Sequence, residues 1–250
     1  MRTLILSDIH ANLEALDAVL DAAPPDDYDR LVVLGDLVGY GANPNEVVDR
    51  IFTLAPQTLI RGNHDKVGSG VEDPVHFNDV AAAAARWTLS ALTEDNRTRI
   101  AALPAGPIAA DDETEVCHGT PYDEDVYVFD KAEAIRALDA ASRPICFFGH
   151  THLPVGFARH TATGELAVWV PELGTPSTIV RLDPDHRYLI NPGSVGQPRD
   201  GDPRAAYALC DTNISCVELN RVSYRVDLAQ QKICAAGLPE SLARRLGVGR

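Results

Sequence analysis

The feature that most constrains this chain is a repeated join, in which a short apolar run stops at a residue able to bind a metal. Leu4-Ile5-Leu6-Ser7 leads into Asp8-Ile9-His10, and Leu31-Val32-Val33-Leu34-Gly35 leads into Asp36. Leu59-Ile60-Arg61-Gly62 leads into Asn63-His64-Asp65, and Val116-Cys117 leads into His118-Gly119. Ile145-Cys146-Phe147-Phe148-Gly149 leads into His150-Thr151-His152. Apolar runs this short, bounded by turn residues, read as buried strands. Ligands of α/β proteins collect beyond the carboxyl ends of strands, so these joins are expected to share one rim of the molecule.

Helical patterns separate the first strands. Asn12 to Ala22 carries Leu13, Leu16, Val19 and Leu20 behind an Asn cap, and Pro44 to Leu54 opens on Pro behind Asn43. Asn78 to Leu92 is Ala-rich and reads as a longer helix. Strands alternating with helices imply parallel pairing, with the helices packed on the sheet. The later runs Val155–Arg159, Leu166–Val170, Thr178–Leu182, Tyr188–Ile190, Tyr207–Cys210 and Cys216–Leu219 are short and turn-separated. They predict a second, more antiparallel sheet, interrupted by one helix at Lys131–Ala140. No linker or repeat divides the chain. The expected architecture is α/β: one layered domain over residues 1–250, with a helical tail from about 227 to 250.

The formal net charge of −14 gives the chain no general attraction for polyanions, so neither nucleic acid nor an anionic membrane is an expected partner. The five Cys show no paired spacing and sit partly in apolar runs, which predicts buried free thiols and a reducing, cytoplasmic setting. The apolar run at the N-terminus is broken by Asp8, and no segment has the apolar length of a membrane span.

A lone Asp or His at a strand end is most often a turn former or a helix cap. Turn chemistry, however, favours Gly, Pro, Asn, Asp and Ser and does not call for His, whereas His10, His64, His118, His150 and His152 all follow strand-like runs. The donor set mixes oxygen and nitrogen without a thiolate pattern, which suits Mn, Fe, Zn, Co or Ni better than Ca or a structural Zn. Two such ions about 3.5–4 Å apart would clamp the attacking and leaving oxygens of a phosphoryl displacement.

Together, Asp8-x-His10, Gly35-Asp36, Gly62-Asn63-His64-Asp65, His118 and Gly149-His150-x-His152 resemble the signature blocks of the calcineurin-like metallophosphoesterases, in that family's order. The resemblance implies a layered sandwich of two mixed sheets flanked by helices and a centre of two divalent ions, with manganese favoured. It implies that Asp8, His10 and His152 bind one ion, that Asn63, His118 and His150 bind the other, and that Asp36 bridges them. His64 would protonate the leaving oxygen or hold the phosphate, and Asp65 would orient the His64 ring.

The Asp-Arg-Gly that follows the second Asp in the family's Ser/Thr protein phosphatases is replaced here by Asp36-Leu37-Val38-Gly39-Tyr40-Gly41. The chain therefore resembles the smaller prokaryotic phosphodiesterase-like branch, as does Asn191-Pro192-Gly193-Ser194-Val195-Gly196-Gln197-Pro198-Arg199. That loop is either a rigid corner or a rim that brings Arg199 to substrate. Tyr40, between two Gly, either stacks on a base or packs on its loop. The acidic run Asp123-Glu124-Asp125 reads as a solvated face, and the C-terminal helix as packing.

The leading expectation is hydrolysis of a phosphodiester or phosphoanhydride in a small, nucleotide-like molecule. Its alternatives are a phosphomonoesterase, including a protein phosphatase or dinucleoside polyphosphate hydrolase, and a scaffold that has lost its metals. The full ligand set disfavours the scaffold, and the acidic charge disfavours a nuclease subunit.

Overall fold

The computed structural model describes residues 1–250 and shows two six-stranded sheets stacked face to face between helices. The alternation of side chains along each strand produces the layers. In β1 (Arg2–Leu6), Leu4 and Leu6 face outward under the helices, while Ile5 faces the other sheet. β2 (Arg30–Val33) divides Leu31 and Val33 from Val32 in the same way. β3 (Thr58–Leu59) completes the parallel part of this sheet.

The outer face of the first sheet is covered by α1 (Leu13–Ala22) and α2 (Pro44–Leu54), through Leu16, Val19, Val47, Val48 and Ile51. The Asn12 side chain caps α1 at the Ala15 N–H, 3.1 Å away. Two short helices escape an apolar-period search. α3 (Asn63–Ser69) begins on the Asn-His-Asp motif itself. After α4 (Asp79–Ala91), α5 (Glu94–Ala101) is almost wholly polar and buries only Asn96 and Ile100.

The second sheet is built from β4 (Ile108–Ala109), β5 (Thr114–Val116), β6 (Ile145–Phe147), β7 (Val155–His160), β8 (Leu166–Trp169) and β10 (His186–Asn191), in the order β4-β5-β6-β10-β7-β8. α6 (Lys131–Ala140) covers its outer face through Ala134, Ala137 and Leu138, against Cys146, Phe148 and Leu189.

The strand assignments of the later chain agree with the sequence reading, but their distribution between sheets does not. β9 (Ser177–Arg181), β11 (Ala205–Asp211) and β12 (Cys216–Val222) cross back to the first sheet, whose order is β3-β2-β1-β11-β12-β9. β11 pairs antiparallel with β1, Thr3 opposite Cys210 and Ile5 opposite Ala208. Alternation of side chains identifies a strand but not its partner, which is why sequence misplaces these three. Both sheets are consequently mixed, and β5, β6 and β10 run parallel within the second.

The expected C-terminal helix is two helices, α7 (Val226–Ala235) and α8 (Glu240–Leu246), broken at Gly237-Leu238-Pro239. They pack with α4 around Tyr40. No helix is long and apolar enough to cross a membrane.

Phe147 is fully buried between the two sheets, beside Ile5, Val32 and Ile190. Phe147→Ala is expected to lower stability by about 3–5 kcal/mol, read as a shift of the urea unfolding midpoint. A loss below about 1 kcal/mol would mean that the sheets do not pack through this ring.

Candidate active site

The carboxyl ends of β1, β2, β5 and β6 and the N-terminus of α3 open onto one rim. There Asp8, His10, Asp36 and His152 offer ligand atoms that all lie within 4.8 Å of one another. Asp36, His118 and His150 form a second such group, so Asp36 belongs to both. Asn63, first residue of α3, places its Oδ1 3.3 Å from His118 Nε2 and joins the second group. The structure thus gathers all seven residues expected as ligands.

Reaching this point bends the backbone. Asp8, His10, Asp36, His150 and His152 all lie at φ between 49° and 66°, a region non-glycine residues seldom occupy. Gly149 and Gly62 permit close approach: a Cβ on Gly149 would lie 2.1 Å from Ser7 Oγ and 2.8 Å from Asp8 Oδ2, and one on Gly62 2.1 Å from Asp36 Oδ1. Gly35, Gly62 and Gly149, which precede Asp36, Asn63 and His150, are glycines because carboxylates and backbone pass where a side chain would stand.

Hydrogen bonds set the tautomers. His10 Nδ1 donates to the Val38 carbonyl at 3.0 Å, His118 Nδ1 to Leu34 at 2.8 Å, and His152 Nδ1 to Gln197 at 2.6 Å. Each ring then turns Nε2 inward. His150 is reversed: its Nε2 donates to the Asp125 carbonyl at 3.2 Å, which leaves Nδ1 as its lone pair. His10 Nε2 and His152 Nε2 face each other at 3.0 Å. Two acceptors at that distance repel unless a cation or proton sits between them.

The charges point the same way. Burial pushes the Asp8 carboxyl up to about 6, with His118 opposing. Burial likewise opposes charge on Asp36, but the neighbouring His118 and His64 rings outweigh it and hold that carboxyl well below the usual range. Burial drives His10 and His152 far below the ordinary imidazole value, and takes His150 down to about 3. His118 goes the other way: burial lowers it, yet the charge of Asp36, whose Oδ2 lies 3.4 Å from His118 Nε2, with Asp8 behind, raises it to about 10. The carboxylates of Asp36 and Asp8 therefore favour positive charge at this point. Asp36 Oδ2 is buried with no hydrogen-bond partner. A buried pocket of carboxylate oxygens and imidazole lone pairs, with one carboxylate oxygen unpartnered, fits a divalent cation.

His64 lies beside this cluster, 4% exposed, its ring 4.9 Å from that of His10. Burial lowers it to about 4, with Asp36 opposing. Asp65 does not orient it. One Asp65 oxygen accepts from the Val38 N–H at 3.2 Å and the other from the Gly62 N–H at 3.0 Å, while His64 Nδ1 is buried with no partner. Neighbouring residues on a helix point in different directions, and Asp65 folds back over the start of α3. It ties the Asn63 turn to the Asp36 loop.

Tyr40 is buried, its ring 4.7 Å from that of His10 and 4.3 Å from that of His64, so it presents no open face for a base. Arg199 Nη2 reaches the Tyr40 hydroxyl at 3.5 Å, and the Arg199 charge bears on Asp8, His10, His64 and His152. The Asn191–Arg199 loop is both a rigid corner and a site wall: Ser194 Oγ donates to the Asp8 carbonyl at 2.7 Å, and Gly196 N–H to the same oxygen at 3.0 Å.

Sequence reading missed two parts. Tyr127 stacks on His150 with centroids 3.7 Å apart, and nothing in its spacing announces this. The acidic run is not a free face. Glu124 pairs with Arg61 at 2.8 Å, and Asp125 with the buried Lys66 at 2.7 Å, which holds the loop over His150.

The calcineurin-like phosphoesterase superfamily domain matches residues 1–215, and the chain belongs to that family. A Methanocaldococcus jannaschii protein, MJ0912, is 34% identical over 98% of this chain and 97% of its own. The phosphodiesterase YfcE of Escherichia coli is 27% identical over 92% of this chain and 98% of its own. The crystal structure of a metallophosphoesterase from Sphaerobacter thermophilus superposes with a TM-score of 0.87 at 39% identity, covering all of both chains.

Since His118 is held up at about 10, it carries a proton at neutral pH that an incoming ion must displace. Binding of a divalent ion near pH 8 is expected to release about one proton from this group, and to tighten as pH rises. Calorimetry in buffers of different ionisation enthalpy reads this directly; binding with no proton release would contradict it.

Proposed function

We propose that this chain is a dinuclear metal-dependent phosphoesterase that hydrolyses a phosphodiester or phosphoanhydride in a small, nucleotide-like substrate. The observation that carries the reading is Asp36, one carboxylate common to two buried ligand groups. Asp8, His10 and His152 would hold one ion with it, and Asn63, His118 and His150 the other, manganese being favoured and Fe, Zn, Ni or Co suiting the same donors. Bound there, such ions supply positive charge to phosphoryl oxygens and lower the pKa of water.

The remaining steps belong to the chain. Arg199 adds a fixed positive charge beside the centre, placed to neutralise a phosphoryl oxygen. His64, lowered to about 4 by burial, is neutral near pH 7 and can donate an N–H to that group. An arriving phosphate anion favours its protonated form and so prepares it to give a proton to the leaving oxygen. Tyr40 and Gly39 fix the ring: a Cβ on Gly39 would lie 2.5 Å from His64 Nδ1. The acidic surface favours a small substrate over nucleic acid or membrane, and the free thiols suit the cytoplasm.

The test is to strip the protein with chelator, restore manganese, and compare hydrolysis of bis-p-nitrophenyl phosphate with p-nitrophenyl phosphate. Diester preference that disappears with the metal is expected; monoester preference would replace this reading with a phosphomonoesterase, and no bound metal would leave a scaffold.

His64→Ala is expected to cut turnover about 10²–10⁴-fold with both ions retained, as read by metal analysis. Loss of metal instead would reassign His64. Asp36→Asn is expected to weaken both ions together, by more than the roughly 10–100-fold of an outer-shell change. Loss of a single ion would remove the bridging role.

A further inference from the structure

Beyond the metal ligands, two arginines meet at one buried amide. Gln197 is 2% exposed, and its Oε1 accepts from Arg199 Nη2 at 3.2 Å and from Arg245 Nη1 at 3.4 Å. The backbone carbonyl of the same Gln197 accepts from His152 Nδ1, so the junction stands one residue behind a metal ligand. Arg245 lies in the last turn of α8, which is fixed by Leu242, Ala243 and Leu246 packing around Tyr40.

This junction brings like charges together without an ion pair between them and a carboxylate. Several other arginines of the chain meet carboxylates: Arg204 with Asp202 at 2.6 Å, Arg225 with Asp227 at 2.7 Å, Arg61 with Glu124 at 2.8 Å. The side-chain partners of Arg199 and Arg245 are Gln197 and the hydroxyls of Tyr40 and Tyr127, all neutral, and Arg199 Nε is buried with no partner. In a chain of net charge −14, two guanidiniums left together without a carboxylate are a place for an external anion. Their positions also differ. Arg199 acts on Asp8, His10, His64 and His152, whereas the partners of Arg245 are Arg199 and Tyr40. Arg199 is the inner charge and Arg245 the outer one.

We propose that Arg199 and Arg245 form an outer anion site that takes a second phosphate of the substrate, next to the one at the metal centre, with Arg245 as the residue that selects substrates carrying it. This rests on the phosphoesterase reading and narrows it to molecules with at least two linked phosphates. Gln197 holds both side chains in place through one oxygen and leaves their remaining N–H groups for the anion. Burial and the neighbouring Arg199 lower the Arg245 pKa, a cost that a bound anion would relieve.

The probes are inorganic orthophosphate and pyrophosphate, compared on manganese-loaded enzyme at fixed free manganese. Both are read as inhibitors of bis-p-nitrophenyl phosphate hydrolysis, and separately by calorimetric binding. Pyrophosphate is expected to bind about 10–100-fold more tightly than orthophosphate, the size of one charge-assisted hydrogen bond. Arg245→Gln is expected to remove that gap, and Arg245→Lys to restore part of it. Arg244→Gln, at an exposed position paired with Glu240 at 3.8 Å, is expected to keep it. Equal binding of the two anions by the native enzyme, or a gap that survives Arg245→Gln, overturns the proposal. Pyrophosphate binding that depends on Arg245 in a protein hydrolysing no phosphoester would keep the anion site and remove the phosphoesterase reading instead.

Discussion

Two imidazole nitrogens held 3.0 Å apart, each with its lone pair turned toward the other, cannot be a resting arrangement without positive charge between them. Much of the architecture around the rim serves this contact. The carbonyls of Val38, Leu34 and Gln197 fix which nitrogen of each ring points inward. Those carbonyls belong to the loops after β2 and β10, so the orientation of the ligands is set by the path of other segments. The left-handed turns at Asp8, His10, Asp36, His150 and His152 are the local strain this arrangement stores.

The layers explain how such a cluster can be held. Between the sheets, Ile5, Val32, Leu34, Phe147 and Ile190 make a dry interior, and the strand ends emerge from it together. Burial there disfavours any unpaired charge, which is why His10, His150 and His152 resist protonation while Asp36 keeps its charge only through the surrounding rings. The same low-dielectric setting would strengthen the hold on a cation.

Most of the site was legible because its signal is chemical and local. His at a strand end is hard to explain by turn formation, and His10, His118, His150 and His152 all carried that mark. What escaped depends on long-range placement. Asp65 beside His64 suggested a carboxylate–imidazole pair, but helix geometry sends its oxygens to the Val38 and Gly62 N–H groups. For Tyr40 between glycines, stacking on a base and packing were both open, and packing holds because α7 and α8, nearly two hundred residues later, cover it. β9, β11 and β12 were seen as strands and put in the wrong sheet, since pairing between distant segments leaves no trace in alternation.

The return of β11 to the side of β1 bears on how the chain matures. β1 and the Asp8 turn are made first, yet their antiparallel neighbour spans Ala205–Asp211, and the corner that clamps the Asp8 carbonyl is Ser194 and Gly196. A growing polypeptide therefore carries the Asp8 turn unclamped, beside an unprotected sheet edge, until most of its length has been synthesised. Loop closure over two hundred residues makes this a slow, late event, and the rim of carboxylates and imidazoles is completed by the same docking step that places β11 beside β1.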